Sequence, residues 1–564
     1  MNSKLAFCIL FSLVCYQAVS QDLGSLKKEK WVKFSGGVSA TANFYNMQGI
    51  EPRRVPFSWI TTGNVTATIK GVSLPFYFTY SEQERSIRQP FNQFGVSPTY
   101  KWMKFHLGYR NVSFSKYVLD GHIFLGGGAE INPGKLRLGF VYGRFLKGIN
   151  EDTSKSIVLS TTQFPFAAYD RYGYGIKLGV GTELNYFDLV YFKAKDRVKS
   201  NQPLPKTQYT QPAENAVLGF KSKFTFFKNH LIFNLDGGIS LLTRNILSDS
   251  ILMGNETVKK FDFIITPNLS TTINYAGQTS LDFKSKFFGT GIKYERVMPD
   301  YRSMGIYYMQ TDLERQTVNA NFNLLKNRIL VTGSAGLEHD NLAHKKEAET
   351  RRKIYSANVN INPKPIYGLM LQYMNYGLTQ FKGVKSISDT TRLNQVTSGF
   401  VVIPRYTLIK KNGVHNFIIA YTNQTLNDKN LFNSQNFNFT VENINASYSG
   451  SLQKPEISMD ASIFNTKSTY SIGNTVNTGL SAGVGKAYLK KKLNTNGSVT
   501  FSYNQFNGKT DGNTLQMRLA ANYLIKKKQR LNANLNYTIN KAKNNVVSKS
   551  FNELQAFIMY SITF

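Results

Sequence analysis

The sequence runs to 564 residues, with 68 Lys and Arg against 34 Asp and Glu, 13% aromatics and a mean hydropathy of −0.28. Both cysteines, Cys8 and Cys15, lie within the first twenty residues, which excludes disulfides and cysteine-held metal from the rest of the chain. No stretch reaches the roughly 18 apolar residues of a membrane helix, so a helical membrane protein is excluded as well.

Residues 1–20 carry Lys4, the apolar run Leu5 to Cys15, and Ala18-Val19-Ser20. That is the charged, apolar and small-residue order of a cleaved secretory signal, with Gln21 as the first mature residue. Val14 before Cys15 fits a lipid-attachment motif poorly. About 544 residues would remain, enough for two to four soluble domains or for one large barrel. The charge excess of +34 points to anionic lipid or anionic solutes, since an exported chain seldom meets nucleic acid.

Residues 21–30 read as a short polar lead-in with Lys27, Lys28 and Lys30. From Trp31 strand signals recur almost without break. A hairpin runs from Val65 to Tyr80 around Lys70-Gly71, and a polar stretch, Ser81 to Pro90, follows. Met103, Phe105, Leu107 and Tyr109 alternate with Lys104, His106, Gly108 and Arg110. Leu136, Leu138, Phe140 and Tyr142 repeat the pattern after Asn132-Pro133-Gly134. Such alternation gives a strand one apolar face. Leu146 to Tyr172 and Lys195 to Glu214 have no period and read as long loops.

The second half is the most regular. Leu531 to Asn540 alternates almost perfectly between apolar residues and Asn. The phase slips between Phe437/Phe439/Val441 and Ile444/Ala446/Tyr448, which predicts a β-bulge near Glu442-Asn443. Short turns, such as Lys326-Asn327, Lys410 to Gly413, Lys490 to Lys492 and Lys526 to Gln529, alternate with longer polar loops. The loops include Arg244 to Lys260, Asp340 to Arg352, Lys382 to Thr391, Asn423 to Ser434, Phe506 to Asn513 and Asn540 to Ser550. The final strand, Leu554 to Phe564, is apolar at every even position and stops on an aromatic.

That last strand resembles the closing strand of a bacterial outer-membrane β-barrel, and the alternation of turn lengths fits short periplasmic turns and long external loops. The style of the chain (Gln after the signal, abundant Asn, Lys, Tyr and Phe, a terminal Phe) resembles outer-membrane barrels of the Bacteroidota. The expectation is an all-β fold: residues 31–564 as a single antiparallel transmembrane β-barrel of about 26 strands, between 22 and 28. The resemblance implies residence in the outer membrane, contact with its lipid and lipopolysaccharide, and delivery by the barrel assembly machinery, with Tyr560, Ile562 and Phe564 as the assembly signal.

A barrel this wide cannot be filled by its own wall and needs an open channel, inward-folded loops or a partner. If the apolar face meets lipid, the opposite face puts Lys104, Arg110, Arg137, Lys177, Lys221, Lys223, Lys284, Lys286 and Arg518 toward the lumen. Asp188, Asp236 and Asp282 are its acids. Basic side chains lining a pore favour anions. Catalysis finds little support: Glu338-His339-Asp340 and Asp120-Gly121-His122 place a His beside carboxylates at the outer rim, but adjacent strand residues point opposite ways. Gly126-Gly127-Gly128 lacks the Lys-Ser/Thr of a phosphate loop. TonB-dependent receptors carry a large N-terminal plug and fatty-acid transporters an N-terminal hatch; residues 21–30 are too short for either, although Ser81 to Pro98 could fold inward. No cofactor or metal is expected.

Two functions remain. One is a porin-like passive channel for small polar solutes, with anionic ones favoured. The other is a non-enzymatic accessory barrel in a surface-protein secretion or assembly complex, which the aromatic loop Leu146 to Tyr172 suits.

Overall fold

The computed structural model describes residues 31–564 except for 83–91, 150–167, 199–210, 250–263, 385–387, 389–390, 431, 433–436 and 544–548. The signal segment, the lead-in and the middle of the loop Leu146 to Tyr172 therefore lie outside the described residues.

Alternating residues commit each segment to a strand with one apolar face, and such a strand needs partners on both edges. The chain meets that demand by pairing each wall strand with its neighbours in sequence, all antiparallel. The ladder then closes on itself. The first strand, Val32–Gln48, pairs with the last, Phe551–Thr563, from Gly37 opposite Thr563 to Gln48 opposite Asn552. No edge is left open, which is the condition for a sheet to cross lipid.

The wall has 26 strands. Two short pieces, Gln93–Val96 and Thr99–Tyr100, occupy one place between Val72–Ser81 and Met103–Asn111. The break falls at Ser97-Pro98, where Pro98 has no amide hydrogen for the ladder. This part of the stretch Ser81 to Pro98 is thus wall and not an inward hatch.

Exposure separates the two faces of the wall. Leu218, Ile239, Ile292, Ile463, Val484 and Leu519 stand exposed on the outside, at positions that the registers carry from strand to strand. A continuous apolar belt of this extent would aggregate in water and is satisfied by lipid. Aromatic residues collect on the outer face near the rim that holds the termini, where Tyr367, Tyr406, Phe417 and Tyr448 stack in sequence. That is the interfacial girdle of a transmembrane barrel.

Twelve short turns of two to four residues occupy the terminal rim, and most connections at the far rim are longer. Two at the far rim are not. Ser471-Ile472 and Asn507-Gly508 are two-residue turns, so the stretch Phe506 to Asn513 is no loop: the strand resumes at Lys509. Asn507 and Gly508 both have positive φ, 50° and 74°, which is the geometry of a tight hairpin turn and the reason for the Asn-Gly pair. Residues Lys509 to Asn513 are polar because that end of the strand stands above the lipid belt.

The bulge expected near Glu442-Asn443 is absent. Register runs unbroken from Leu426 opposite Phe439 to Gly413 opposite Leu452, and the next pair is equally regular. The phase of apolar residues slips there because the surroundings change. Ile444, Ala446 and Tyr448 face the belt, whereas Thr440 and Glu442 share their side of the strand nearer the far rim, where an outward side chain meets water. Irregular register occurs instead at Arg171/Tyr172, Ile361/Lys364, Asn504/Gln505 and Leu524/Lys526.

Candidate functional site

Among the described residues, the interior of the barrel is filled on one side only. Val112, Phe114, Val118 and Leu119, from the connection 112–122, are fully buried against Phe124, Val141, Phe145, Val190, Phe192 and Val217 of the inner wall. A segment between strands that buries four apolar residues inside a barrel has folded into the lumen. The connection 298–312 follows it in, and Gly305-Ile306 runs parallel to Leu119-Asp120 as a two-residue ladder.

Hydrogen bonds lock the two segments together. The Tyr301 hydroxyl donates to the Tyr117 carbonyl at 2.6 Å, and Ser303 Oγ donates to the Val118 carbonyl. The Met304 amide donates to Asn215 Oδ1 of the wall at 2.9 Å. Ser115 Oγ donates to Asp236 at 2.6 Å, with the Lys116 amide on the other carboxylate oxygen. Buried polar groups without such partners would cost about 1–3 kcal/mol each.

Inner-wall glycines make the room. A methyl group on Gly139 would meet the Phe114 ring at 2.7 Å, and one on Gly219 would meet Val118 at 2.4 Å. The wall is therefore shaped for these particular segments.

Facing the open lumen is a network of charge. Lys116 Nζ lies 2.5 Å from Glu295, Lys293 lies 3.4 Å from the same carboxylate, and Arg315 lies 3.9 Å from it. Arg315 also bonds Glu338 at 2.5 Å, and Arg352 closes on the other oxygen of Glu338. The Tyr117 hydroxyl donates to Glu295 at 2.9 Å. Burial first, then the carboxylates of Glu295 and Asp236, push that hydroxyl far above its ordinary range, so it remains a donor. Exposed Tyr307 and Tyr308 border the same cleft, which is also lined by Asp120 and Gln310.

The nine cations expected in the lumen fall into three groups. Several are paired on the inner wall. Arg137 binds Asp188 through two hydrogen bonds, while Lys177 and Lys104 share Glu130 at 3.4 Å and 4.0 Å. Arg110 lies over the Tyr77 ring, and Arg518 donates to Gln516. Lys221 sits opposite Asp188 and Asp236 in register, Lys223 is on the same face, and Lys284 ends its strand. Lys286 stands apart: it lies in the turn between Lys284 and Phe288, not on the wall.

The expected ratio of nine cations to three acids does not describe the interior. Glu130, Asp196, Glu295 and Glu338 also face inward, each with a cationic partner. Sequence reasoning missed them, together with the two in-folded segments. The available signal was apolar side chains off the strand period, Val112 to Leu119 and Tyr301 to Ile306, in segments that would otherwise be solvated.

The histidines do not assemble a reaction centre. Glu338 points inward to its arginines, while His339 lies on the other face, 3.8 Å from Glu314. His122 meets Phe145 and Tyr307 edge-on; burial lowers its pKa, so it is held neutral. His106 bridges Ser97 and Glu130 at 3.1 Å each. Ser97 and His106 are both buried, which leaves a substrate no approach to the hydroxyl. The bridge pins the break at Ser97-Pro98 to the wall. Gly126-Gly127-Gly128 is unbroken strand. Among the described residues no group of His, Cys, Asp and Glu could hold a metal ion.

Phe564, Ile562 and Tyr560 lie at the seam of the barrel. Ile562 pairs with Val38 and Gln529, Tyr560 with Ala40 and Leu531, and the Phe564 amide donates to the Gly36 carbonyl.

No family model matches the chain, and no curated relative matches it. Solved structures share the barrel form. OccAB2 of Acinetobacter baumannii is similar at 10% identity over 63% of this chain and 93% of its own, with a TM-score of 0.31. OprD of Pseudomonas aeruginosa is similar at 9% identity over 63% and 90%, also at 0.31. A BenF-like porin from Pseudomonas fluorescens is similar at 11% identity over 70% and 99%, again at 0.31. Likeness at this level carries no argument about activity. The chain is a closed 26-stranded β-barrel on its own geometry.

Proposed function

We propose that this protein is a passive, non-enzymatic channel of the outer membrane for small polar solutes, with a mild preference for anions. One observation carries the reading. Buried apolar side chains of the interior come from the part of the chain before residue 343; from Arg351 to Phe564 none is buried among the described residues. The inner wall of that second part carries many Asn, Ser and Thr, as in the bonded pairs Asn443–Thr466, Asn477–Asn504 and Thr514–Asn540, with Met374 and Phe557 exposed among them. A wall with no described apolar segment buried against it and polar groups along it supports a water-filled path.

The filled side narrows that path and sets its charge. Four cations, Lys116, Lys293, Arg315 and Arg352, surround two carboxylates, Glu295 and Glu338. Asp120 at the same cleft and the paired acids elsewhere keep the anion preference modest.

Single-channel conductance in a planar bilayer under a salt gradient tests the reading. A steady conductance with a reversal potential on the anion side supports it. A folded, heat-modifiable protein that inserts and passes no current overturns it and favours an accessory barrel of a secretion or assembly complex.

A further inference from the structure

The terminal rim is strongly basic. Its twelve turns hold fourteen Lys and Arg and two Glu, in 37 residues. The thirteen connections at the far rim are several times longer in total and hold twenty Lys and Arg against fourteen Asp and Glu. A general preference of turns for lysine would charge both rims alike, so the asymmetry needs a cause on one side.

Three of the basic turns share one backbone. Phe227-Lys228-Asn229, Leu325-Lys326-Asn327 and Leu489-Lys490-Lys491 each place three successive residues at φ between 51° and 70°. Each leaves its large apolar residue widely exposed, at 77%, 67% and 61%, directly before a lysine. Left-handed backbone disfavours such residues. An exposed Phe or Leu beside an ammonium suits the boundary between acyl chains and phosphates.

At the seam these features form a cleft. Lys33, Lys526, Lys527 and Lys528 line a space of about 690 Å³ together with Val32, Phe34, Ile562 and Phe564. Its lining holds four lysines and no Asp or Glu. Its apolar members Phe34, Ile562 and Phe564 continue the outer belt, with Phe34 and Phe564 exposed. We propose that this cleft binds one anionic phospholipid of the adjoining leaflet, its phosphate among the three consecutive lysines and its acyl chains against the seam. A soluble acidic protein would match the charge but not an apolar floor that runs into the lipid belt. The site is independent of the channel reading, and its test does not pass current.

The experiment uses the whole protein in nanodiscs of phosphatidylcholine with a small fraction of phosphatidylglycerol, released for native mass spectrometry. The expected result is one retained phosphatidylglycerol per chain, enriched at least fivefold over its share of the disc and weakened by salt. The triple variant K526Q/K527Q/K528Q should lose that enrichment, while K526R/K527R/K528R should keep it. The charge-matched variant K490Q/K491Q/K492Q, on another turn, should keep it too. Equal loss in both glutamine variants would mean diffuse attraction by the rim and overturn the cleft. Absence of enrichment in the wild type overturns it without any variant, so a variant that fails to fold leaves the test intact.

Discussion

The Tyr301 hydroxyl reaches across the barrel interior to the main-chain oxygen of Tyr117, 2.6 Å away and 184 residues earlier in the chain. Both side chains are fully buried, and their rings meet edge-on at 6.5 Å. Together with the Ser303 bond to Val118, this bond joins the two segments that fold into the lumen. Tyr301→Phe keeps the ring and orphans a buried carbonyl, which should loosen the pair by about 1–2 kcal/mol. Single-channel records should show added open-state noise, with the barrel itself as heat-resistant as the wild type.

Gly139 gives a sharper handle on the same closure. Gly139→Val puts methyl groups where the Phe114 ring lies, with side-chain atoms as the nearest neighbours. The 112–122 segment should be displaced and the mean conductance should rise. An unchanged conductance would show that the segment does not limit the path.

Charge at the constriction should set selectivity. Glu338→Gln leaves Arg315 and Arg352 without their shared carboxylate, so the reversal potential should move toward the anion side. Lys116→Gln should move it the opposite way, and both effects should shrink at high salt.

Acid and base should open the far rim near residue 340. Burial pushes the Asp312 carboxyl up, but its bond with Lys346 and the amides of Leu342 and Asn341 outweigh that and hold it below the usual range. Lys346, between Asp312 and Asp340, is raised against its own desolvation. A depressed carboxyl contributes stability that is complete above its unfolded pKa of about 4 and lost as pH falls through the folded value. A raised lysine contributes below about 10.4, and that is lost as pH rises through its folded value. Protection of the Asn341 and Leu342 amides from hydrogen exchange, relative to their intrinsic rates at each pH, should be greatest between those limits and fall on either side.

The lipid belt can be tested one residue at a time. Ile463 and Leu519 are exposed on the outer face at 67% and 58%. Replacing either by Arg should destabilise the barrel by about 2–4 kcal/mol if the site is near the membrane midplane. Urea unfolding in lipid vesicles reads this directly. The same change at Asn534, on the inner face, should cost far less.

Alternation along Leu531 to Asn540 or Leu554 to Phe564 determined strand, face and, with the turn spacing, the size of the barrel, because side-chain direction in a strand is local. The same reasoning gave the expectation that nine cations line the lumen, of which Lys286 lies in a turn instead. Tertiary structure alone decided what they meet there. Glu295 joins Lys116 across 179 positions, and Phe114 enters the space left by Gly139; no local period encodes either. The misjudged bulge at Glu442 and the misjudged loop at Asn507 have one cause. Polar residues near the far rim lie beyond the lipid, and where the lipid ends is fixed by the register of all 26 strands together, not by any single stretch of sequence.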